Sequence, residues 1–244
     1  MPDLRPFEYT PANDLGLPPR ERMKSVRRES GLLATLFHAT WWAGVRTYMC
    51  IAHRLSIEGR EHLPKSLPFV MVGNHTSHLD ALIMAAPLPL RLRDHIFPVA
   101  AGDTFFQTPA IGAFAALCLN ALPLWRKRAG SHALADLRTR LLEEPCGYVL
   151  FPEGTRARDG KLGEFKPGLG MLVAGTNVPV IPCHLSGAYE AMPPHANIPR
   201  WKKISMQVGS ALTFEHEPDA REGWERTAIA TREAVARLSQ PALH

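Results

Sequence analysis

Two histidines and an aspartate stand close together in VGNHTSHLDA, a segment that follows an apolar run. Asp80 comes five residues after His75, so the chain can turn back and let the carboxylate accept a proton from one ring nitrogen. The other nitrogen would then face a substrate, which makes His75 a general base held in one tautomer. The same segment also admits a metal site that includes His78. A third interpretation is a helix start, in which Ser77 caps the helix and Asp80 favours its positive end.

A second polar segment, FPEGTR, follows another apolar run about eighty residues later. Gly154 permits a tight turn, while backbone N–H groups and the Thr155 hydroxyl can donate to phosphate oxygens. Arg156 offers a bidentate fork for phosphate. The alternative is an ordinary turn after a strand, with Glu153 and Arg156 as solvated charges. Taken with the first segment, FPEGTR indicates a phosphate-bearing substrate.

Two competing enzyme classes lack the residues that they need. A metal site would require further ligands, but His95, His132, His184 and His195 do not form a second compact cluster with acidic residues. We therefore expect no metal. A serine hydrolase would require a G-x-S-x-G motif, and Ser186 lacks the preceding glycine.

Strand-like and helix-like segments alternate along most of the chain, which predicts a mixed, largely parallel sheet flanked by helices. The predicted strands are LPFVMVGN, HIFPVAA, LPLW, GYVLFPEG, VPVIPCHLSG and a pair in WKKISMQVGSALTF. The predicted helices are LDALIMAAPL, TFFQTPAIGAFAALCL, HALADLRTRLLEE and AREGWERTAIATREAVARLSQ. In such a fold, ligands bind beyond the carboxyl ends of the strands, where both polar segments fall.

The first part of the chain divides into two segments of different character. Residues 1–22 form a Pro-rich tail, and residues 23–55 carry an amphipathic helical pattern after the basic residues of MKSVRRES. The apolar stripe comprises Leu33, Leu36, Phe37, Trp41, Val45, Tyr48, Ala52 and Leu55; the other face carries Thr35, His38, Trp42, Arg46 and His53. This helix can dock in a membrane interface or pack on its own domain.

Composition narrows the class of partner. Lys and Arg outnumber Asp and Glu by 28 to 23, so the net charge is +5, which suits a phosphate-bearing substrate or an anionic membrane surface. No nucleic-acid-binding signature appears, so no nucleic acid is expected as a partner. The four cysteines are scattered, which predicts reduced thiols. The N-terminus lacks the apolar stretch of a signal peptide, so we expect a protein of the cytosol or of the cytoplasmic face of a membrane.

Together the two motifs resemble those of the glycerolipid acyltransferases, a family that includes 1-acylglycerol-3-phosphate acyltransferases. His75 and Asp80 match the family's N-H-x-x-x-x-D motif, and FPEGTR matches its phosphate-binding motif. VPVIPCHLSG, with Pro182 after an apolar strand, resembles its last block. The resemblance covers roughly residues 56–215 and makes residues 56–244 the acyltransferase domain.

The chain departs from the family pattern between these blocks. Gly102 and Asp103 occupy a place where the family usually has a lysine. The aliphatic-Asp-Arg triplet is replaced by LWR, in which Arg126 still aligns but Trp125 replaces the acid. Ala157 stands where a serine usually follows FPEGTR.

The resemblance implies transfer of a fatty acyl group from acyl-CoA or acyl carrier protein to the hydroxyl of a lysophospholipid. The first expected acceptor is 1-acylglycerol-3-phosphate, which would give phosphatidic acid. The alternative acceptors are glycerol-3-phosphate, another lysophospholipid and a lyso-aminolipid. A metal-dependent hydrolase is the less favoured alternative activity. No bound cofactor is expected. The expected location is the cytoplasmic face of the inner membrane, with the protein attached peripherally.

The resemblance also implies roles for individual residues. His75 takes the proton of the acceptor hydroxyl and Asp80 steadies the resulting imidazolium, while backbone N–H groups near the helix start after His75 are candidates for stabilising the oxyanion. The residues expected to hold the acceptor phosphate are Gly154, Thr155, Arg156 and Arg126. Glu153 is expected to order this loop or to bind a glycerol hydroxyl.

Overall fold

The computed structural model describes residues 16–18, 21, 32–101, 114–116, 118–124 and 130–239. Its helices are α1 (Leu32–Ala52), α2 (Asp80–Ala85), α3 (Gly130–Glu143), α4 (Gly168–Val173), α5 (Ala188–Ala191) and α6 (Arg221–Leu238). Its strands are β1 (Ser56–Glu58), β2 (Phe69–Gly73), β3 (Ile96–Ala101), β4 (Leu122–Leu124), β5 (Gly147–Leu150), β6 (Val180–Ser186) and β7 (Ser205–Val208). Short 3-10 helices span Arg60–His62 and Leu90–His95.

The seven strands form one sheet in the order β1-β7-β6-β2-β5-β3-β4. The strands from β6 to β4 in that order are parallel, whereas β7 runs antiparallel to β6 and parallel to β1. The predicted mixed, largely parallel sheet is thus confirmed. Val72 pairs with Leu150 near the carboxyl ends of β2 and β5, so the two polar segments that follow these strands begin side by side.

Two apolar layers cover the two faces of the sheet. Alternate residues of β2 point to opposite faces, so that Phe69 and Met71 belong to one layer while Val70 and Val72 belong to the other. The first layer includes buried residues of α1, α2 and α5, and we call it the α1 face. The second includes buried residues of α3, α4 and α6, and we call it the α6 face.

Helix α1 packs on the domain with a face that coincides only in part with its predicted apolar stripe. Val45 of the stripe is buried with Trp42 and Met49 in the α1-face layer, whereas Leu36 and Phe37 of the stripe are exposed. Two polar contacts also lie on the buried side. His38 Nδ1 lies 2.7 Å from a carboxylate oxygen of Asp94, and the guanidinium of Arg93 lies 4.2 Å from the ring centre of Trp42.

The structure differs from the predicted elements at one strand. The second strand predicted in WKKISMQVGSALTF is wrong, because Leu212 makes only an isolated bridge with Val180. The helix predicted in TFFQTPAIGAFAALCL lies mostly outside the described residues, as does the Pro-rich tail.

None of the helices in the described part of the chain is long and apolar enough to cross a bilayer.

Gly170 lies where α4 crosses α6, and its missing side chain permits the close approach. A Cβ atom added there would lie 2.2 Å from the Cα of Trp224. We therefore expect Gly170→Ala to lower the free energy of unfolding by about 3 kcal/mol, because backbone must shift to relieve the overlap. Chemical denaturation measures the change.

Gly168 in the same helix provides the matched control. A Cβ added there would come no closer than 3.4 Å to a neighbouring side-chain carbon, that of Leu134. Gly168→Ala should leave stability unchanged or raise it by up to about 1 kcal/mol, since alanine loses less backbone entropy in a helix. Equal effects of the two substitutions would contradict the tight crossing of α4 and α6.

Candidate active site

The structure brings His75 and Asp80 together, as their spacing predicts. Nδ1 of His75 lies 2.9 Å from Oδ2 of Asp80. The Asp80 side chain is fully buried, whereas 19% of the His75 side chain remains exposed. The same carboxylate oxygen accepts the backbone N–H groups of Thr76 at 2.7 Å and Ser77 at 2.8 Å. Asp80 is therefore held by three donors and fixes the imidazole with Nε2 as the nitrogen available to a substrate.

These contacts correct the capping role expected for Ser77 and reduce the number of candidate oxyanion donors at the start of α2. The helix begins at Asp80 with Leu79 as its N-cap, so Ser77 is not the capping residue. Its hydroxyl instead accepts the N–H of Leu79 at 3.1 Å and donates to the carbonyl of Met192 at 2.7 Å. The N–H groups of Thr76 and Ser77 are already bonded to Asp80, so these two are not available as oxyanion donors.

The second motif holds the backbone of His75 on both sides. The N–H of His75 donates to Oε1 of Glu153 at 2.9 Å, and the carbonyl of His75 accepts the N–H of Ala157 at 2.8 Å. The ring of Phe151 stacks on the imidazole, with 4.4 Å between ring centres. Since this segment fixes both the peptide and the ring of His75, the base and the FPEGTR loop form one unit.

Glu153 orders the FPEGTR loop, one of the two roles expected for it. The carboxylate is buried, and its second oxygen accepts the N–H of Gly163 at 3.3 Å. Burial raises the pKa of Glu153, and the backbone donors of His75 and Gly163 oppose that shift. The side chain therefore links the His75 loop to the chain that follows FPEGTR.

Arg156 of the same unit lies against the ring of His78. Its Nη1 contacts the ring nitrogens of His78, and His78 Nε2 lies 3.1 Å from the carbonyl of Pro194. Burial lowers the pKa of His78, and the neighbouring Arg156 lowers it further. His78 thus contacts the cation of the proposed phosphate loop.

The other residues of the FPEGTR loop have the properties expected of a turn. Gly154 has φ +75°, a conformation that favours glycine, and its N–H donates to the carbonyl of Phe151 at 3.0 Å. Thr155 is exposed. Arg126 lies outside the described residues, together with Trp125, Gly102 and Asp103.

Asn74 is a residue of the site that the sequence analysis did not single out. Its side-chain amide donates to the carbonyl of Leu185 at 3.0 Å, and its oxygen accepts the N–H of Leu185 at 2.7 Å. This pair of bonds ties the loop before His75 to β6. An amide residue at the end of an apolar run was the available signal, because a buried amide must find partners.

The remaining candidate ligands do not converge in the described part of the chain. No group of three His, Cys, Asp or Glu side chains there has the arrangement of a metal site. All four cysteines are free.

Sheet and site together define a class of α/β protein. A histidine held by a buried aspartate and joined to a cationic loop lies beyond the carboxyl ends of two neighbouring parallel strands. The sequence matches the Acyltransferase family over residues 54–186. The chain therefore belongs to the acyltransferase family, which confirms the resemblance seen in the two motifs.

Two proteins of similar sequence are both named as 1-acyl-sn-glycerol-3-phosphate acyltransferases. A chloroplastic 1-acyl-sn-glycerol-3-phosphate acyltransferase of Arabidopsis thaliana is 35% identical over 161 residues, which cover 64% of this chain and 42% of that protein. The 1-acyl-sn-glycerol-3-phosphate acyltransferase alpha of Mus musculus is 30% identical over 167 residues, or 68% of this chain and 54% of that protein. The chain thus spans about half the length of these relatives.

A solved structure shares the fold. The 1-acyl-sn-glycerophosphate acyltransferase of Thermotoga maritima superposes with a TM-score of 0.62 at 22% sequence identity. The superposition covers 86% of this chain and 81% of that one. The mixed sheet and its flanking helices are therefore those of an acyltransferase fold.

Proposed function

We propose that this protein transfers a fatty acyl group from a thioester to the free hydroxyl of 1-acylglycerol-3-phosphate, giving phosphatidic acid. The donor is acyl-CoA or acyl carrier protein. The observation that carries the proposal is the joining of a His–Asp base to a cationic loop through the backbone of His75. Its relatives' names as 1-acyl-sn-glycerol-3-phosphate acyltransferases support the acceptor.

The geometry of His75 supports direct transfer. With Nδ1 hydrogen-bonded to Asp80, Nε2 takes the proton of the acceptor hydroxyl as its oxygen attacks the thioester carbonyl. The resulting imidazolium is stabilised by the buried carboxylate of Asp80. When the tetrahedral intermediate collapses, the carbon–sulfur bond breaks and the thiolate takes the proton from Nε2. An ester and a free thiol result, and His75 returns to its starting state.

Arg156 is the proposed cation for the acceptor phosphate. It lies beside the His75 loop through its contact with His78, so a phosphate bound to it would hold the glycerol hydroxyl near the base. The exposed hydroxyl of Thr155 would supply a further donor. The N–H of Gly154, also expected to bind phosphate, already donates to the carbonyl of Phe151, so the role left to Gly154 is the tight turn of the loop. Arg126 is proposed as a second cation from the family pattern.

The decisive experiment measures release of free thiol from acyl-CoA and from acyl carrier protein thioester with a panel of acceptors. We expect the highest turnover with 1-acylglycerol-3-phosphate. Higher turnover with glycerol-3-phosphate, another lysophospholipid or a lyso-aminolipid would identify that compound as the acceptor. The reaction would still be acyl transfer from a thioester. Absence of thiol release with every acceptor and both donors would reject the proposed activity.

Removing the guanidinium of Arg156 should weaken acceptor binding. We expect Arg156→Ala to raise the KM for 1-acylglycerol-3-phosphate by roughly 10- to 100-fold, because a charge-assisted hydrogen bond contributes about 1.5–3 kcal/mol. Steady-state kinetics at saturating thioester measures the change. Arg221→Ala is the matched control, since Arg221 lies exposed on α6 and pairs with Glu225. An unchanged KM and kcat in Arg156→Ala would remove the phosphate assignment.

The exposed face of α1 is the proposed membrane contact, at the cytoplasmic face of the inner membrane. Leu36 is 64% exposed and Ile51 68% exposed, and Phe37 and Tyr48 are exposed beside them. Such an apolar surface suits a helix that lies in the bilayer interface, where a lipid acceptor resides. Replacing Leu36 and Ile51 with serine should weaken binding to lipid vesicles; undiminished binding would contradict the docking of α1.

A further inference from the structure

The segment between α5 and β7 combines large apolar side chains with positive charge at the surface. Ile198 is 79% exposed and Trp201 is 75% exposed, the two highest values for large hydrophobic residues in the described part of the chain. Arg200, Lys202 and Lys203 are exposed around them, and residues 193–203 contain no Asp or Glu. We call residues 193–203 the Trp201 segment. Exposed apolar side chains among cations are typical of surfaces that contact anionic membranes.

The Trp201 segment is anchored at the candidate site at its first end. The carbonyl of Met192, just before the segment, accepts the Ser77 hydroxyl at 2.7 Å. The carbonyl of Pro194 lies 3.1 Å from Nε2 of His78. The segment therefore starts at the loop that carries the proposed base.

Its second end is anchored at the C-terminal end of α1. Nδ1 of His53 lies 3.1 Å from the carbonyl of Lys202, and the N–H of Ile204 donates to the carbonyl of His53 at 2.9 Å. The other ring nitrogen of His53 lies 3.2 Å from the hydroxyl of Tyr48, a residue of the exposed α1 face. The segment thus connects the candidate site to the proposed membrane helix.

We propose that the Trp201 segment is a second membrane contact, which binds the surface of an anionic phospholipid bilayer. Trp201 and Ile198 enter the headgroup region, while Arg200, Lys202 and Lys203 bind lipid phosphates. This proposal rests on the proposed function, since it assumes an acceptor that resides in the bilayer. Contacts through the Trp201 segment and through α1 would hold the candidate site at the membrane surface.

Charge favours a lipid surface over other occupants. Three cations within four residues have no acidic neighbour in the segment, and the tryptophan among them is the side chain that concentrates at bilayer interfaces. Hydrogen bonds anchor the segment at both ends, and its apolar and cationic side chains lie exposed at the surface.

The test measures binding of the full-length protein to vesicles by sedimentation. Vesicles of phosphatidylcholine alone are compared with vesicles that contain phosphatidylglycerol. The double variant Lys202→Glu and Lys203→Glu should bind the anionic vesicles at least tenfold more weakly, because each cation near such a surface contributes about fivefold. Trp201→Ser should weaken binding to both kinds of vesicle.

Matched controls come from the α6 face, on the other side of the sheet. Arg221→Glu with Arg237→Glu reverses two exposed charges of α6, and Ile229→Ser removes an apolar side chain that is 57% exposed. These variants should bind vesicles like the parent protein. Equal loss in the α6 variants would show nonspecific attraction and overturn the proposal, as would parental binding of the Trp201-segment variants.

A second measurement separates this proposal from the proposed function. Thiol release with a short-chain, water-soluble 1-acylglycerol-3-phosphate should be unchanged in Trp201→Ser, since Trp201 has no part in the chemistry. If the protein binds vesicles through the segment but releases no thiol, the proposed activity is rejected and the membrane contact is supported. Unchanged thermal unfolding in every variant establishes that the fold is intact. If Trp201→Ser unfolds, Trp201→Phe tests the same contact: brominated lipids should quench the tryptophan fluorescence of this variant less than that of the parent protein.

Discussion

Replacing His75 with alanine is expected to lower the rate of acyl transfer by at least about 10²- to 10⁴-fold, the usual contribution of a general base. The ring is held on three sides, by Asp80 at Nδ1, by the stacked Phe151, and through its own backbone by Glu153. This arrangement presents Nε2 to the acceptor hydroxyl in one orientation. Without the ring, nothing accepts the hydroxyl proton as the new ester bond forms. Thiol release under single-turnover conditions measures the loss directly.

The interpretation depends on an intact fold, which the structure favours. The backbone N–H and carbonyl of His75 make the contacts with Glu153 and Ala157, so an alanine at the same position keeps both. Thermal unfolding should therefore change little. His216→Ala is a matched control, because the His216 side chain is 94% exposed. If His75→Ala retained more than a tenth of the parental rate, His75 would not be the base.

Asp80→Asn is expected to lower kcat by about 10²- to 10⁴-fold while leaving the protein folded. The rate falls because the imidazolium of His75 loses the negative charge of the carboxylate that contacts its Nδ1. An amide oxygen in place of Oδ2 can still accept from His75 and from the N–H groups of Thr76 and Ser77. The amide nitrogen would occupy the site of Oδ1, which has no hydrogen-bond partner in the described part of the chain. The variant therefore tests the effect of the negative charge on kcat while the hydrogen bonds made by residue 80 are kept.

Asp80→Ala supplies the contrast. It leaves the buried N–H groups of Thr76 and Ser77 without an acceptor, and each costs about 1–3 kcal/mol of unfolding free energy. We therefore expect this variant to be both inactive and destabilised by about 2–6 kcal/mol, as measured by chemical denaturation. If Asp80→Asn kept parental kcat, the charge would have no role in the transfer, and Asp80 would serve only to shape the loop.

The sequence was sufficient to predict the class of fold and the central pair of the site. Apolar runs separated by helical patterns predicted parallel strands, and the polar segments after β2 and β5 were expected at one edge of the sheet. The five-residue spacing of His75 and Asp80 predicted their hydrogen bond, because a contact between near neighbours depends mainly on the local turn. Local information also placed Gly154 in a turn, which its positive φ confirms.

Local spacing was not sufficient at the helix start. A capping role for Ser77 was the simplest interpretation of its position, yet α2 begins three residues later and the Ser77 hydroxyl donates to Met192. The partner lies 115 residues away in the chain, so no neighbouring residue indicates it. Two of the backbone N–H groups near the helix start, those of Thr76 and Ser77, are bonded to Asp80, and their spacing in the sequence did not reveal this.

Tertiary structure alone decided which face of α1 meets the domain, and which distant groups meet at the site. Val45 and Ala52 of the apolar stripe are buried, but so are His38 and Trp42 of the other face, which contact Asp94 and Arg93. The contacts of Arg156 with His78 and of Asn74 with Leu185 likewise join residues far apart in sequence. A sequence pattern records which side chains can be buried; the partner that repays the desolvation of a buried polar group is known only once the chain has folded.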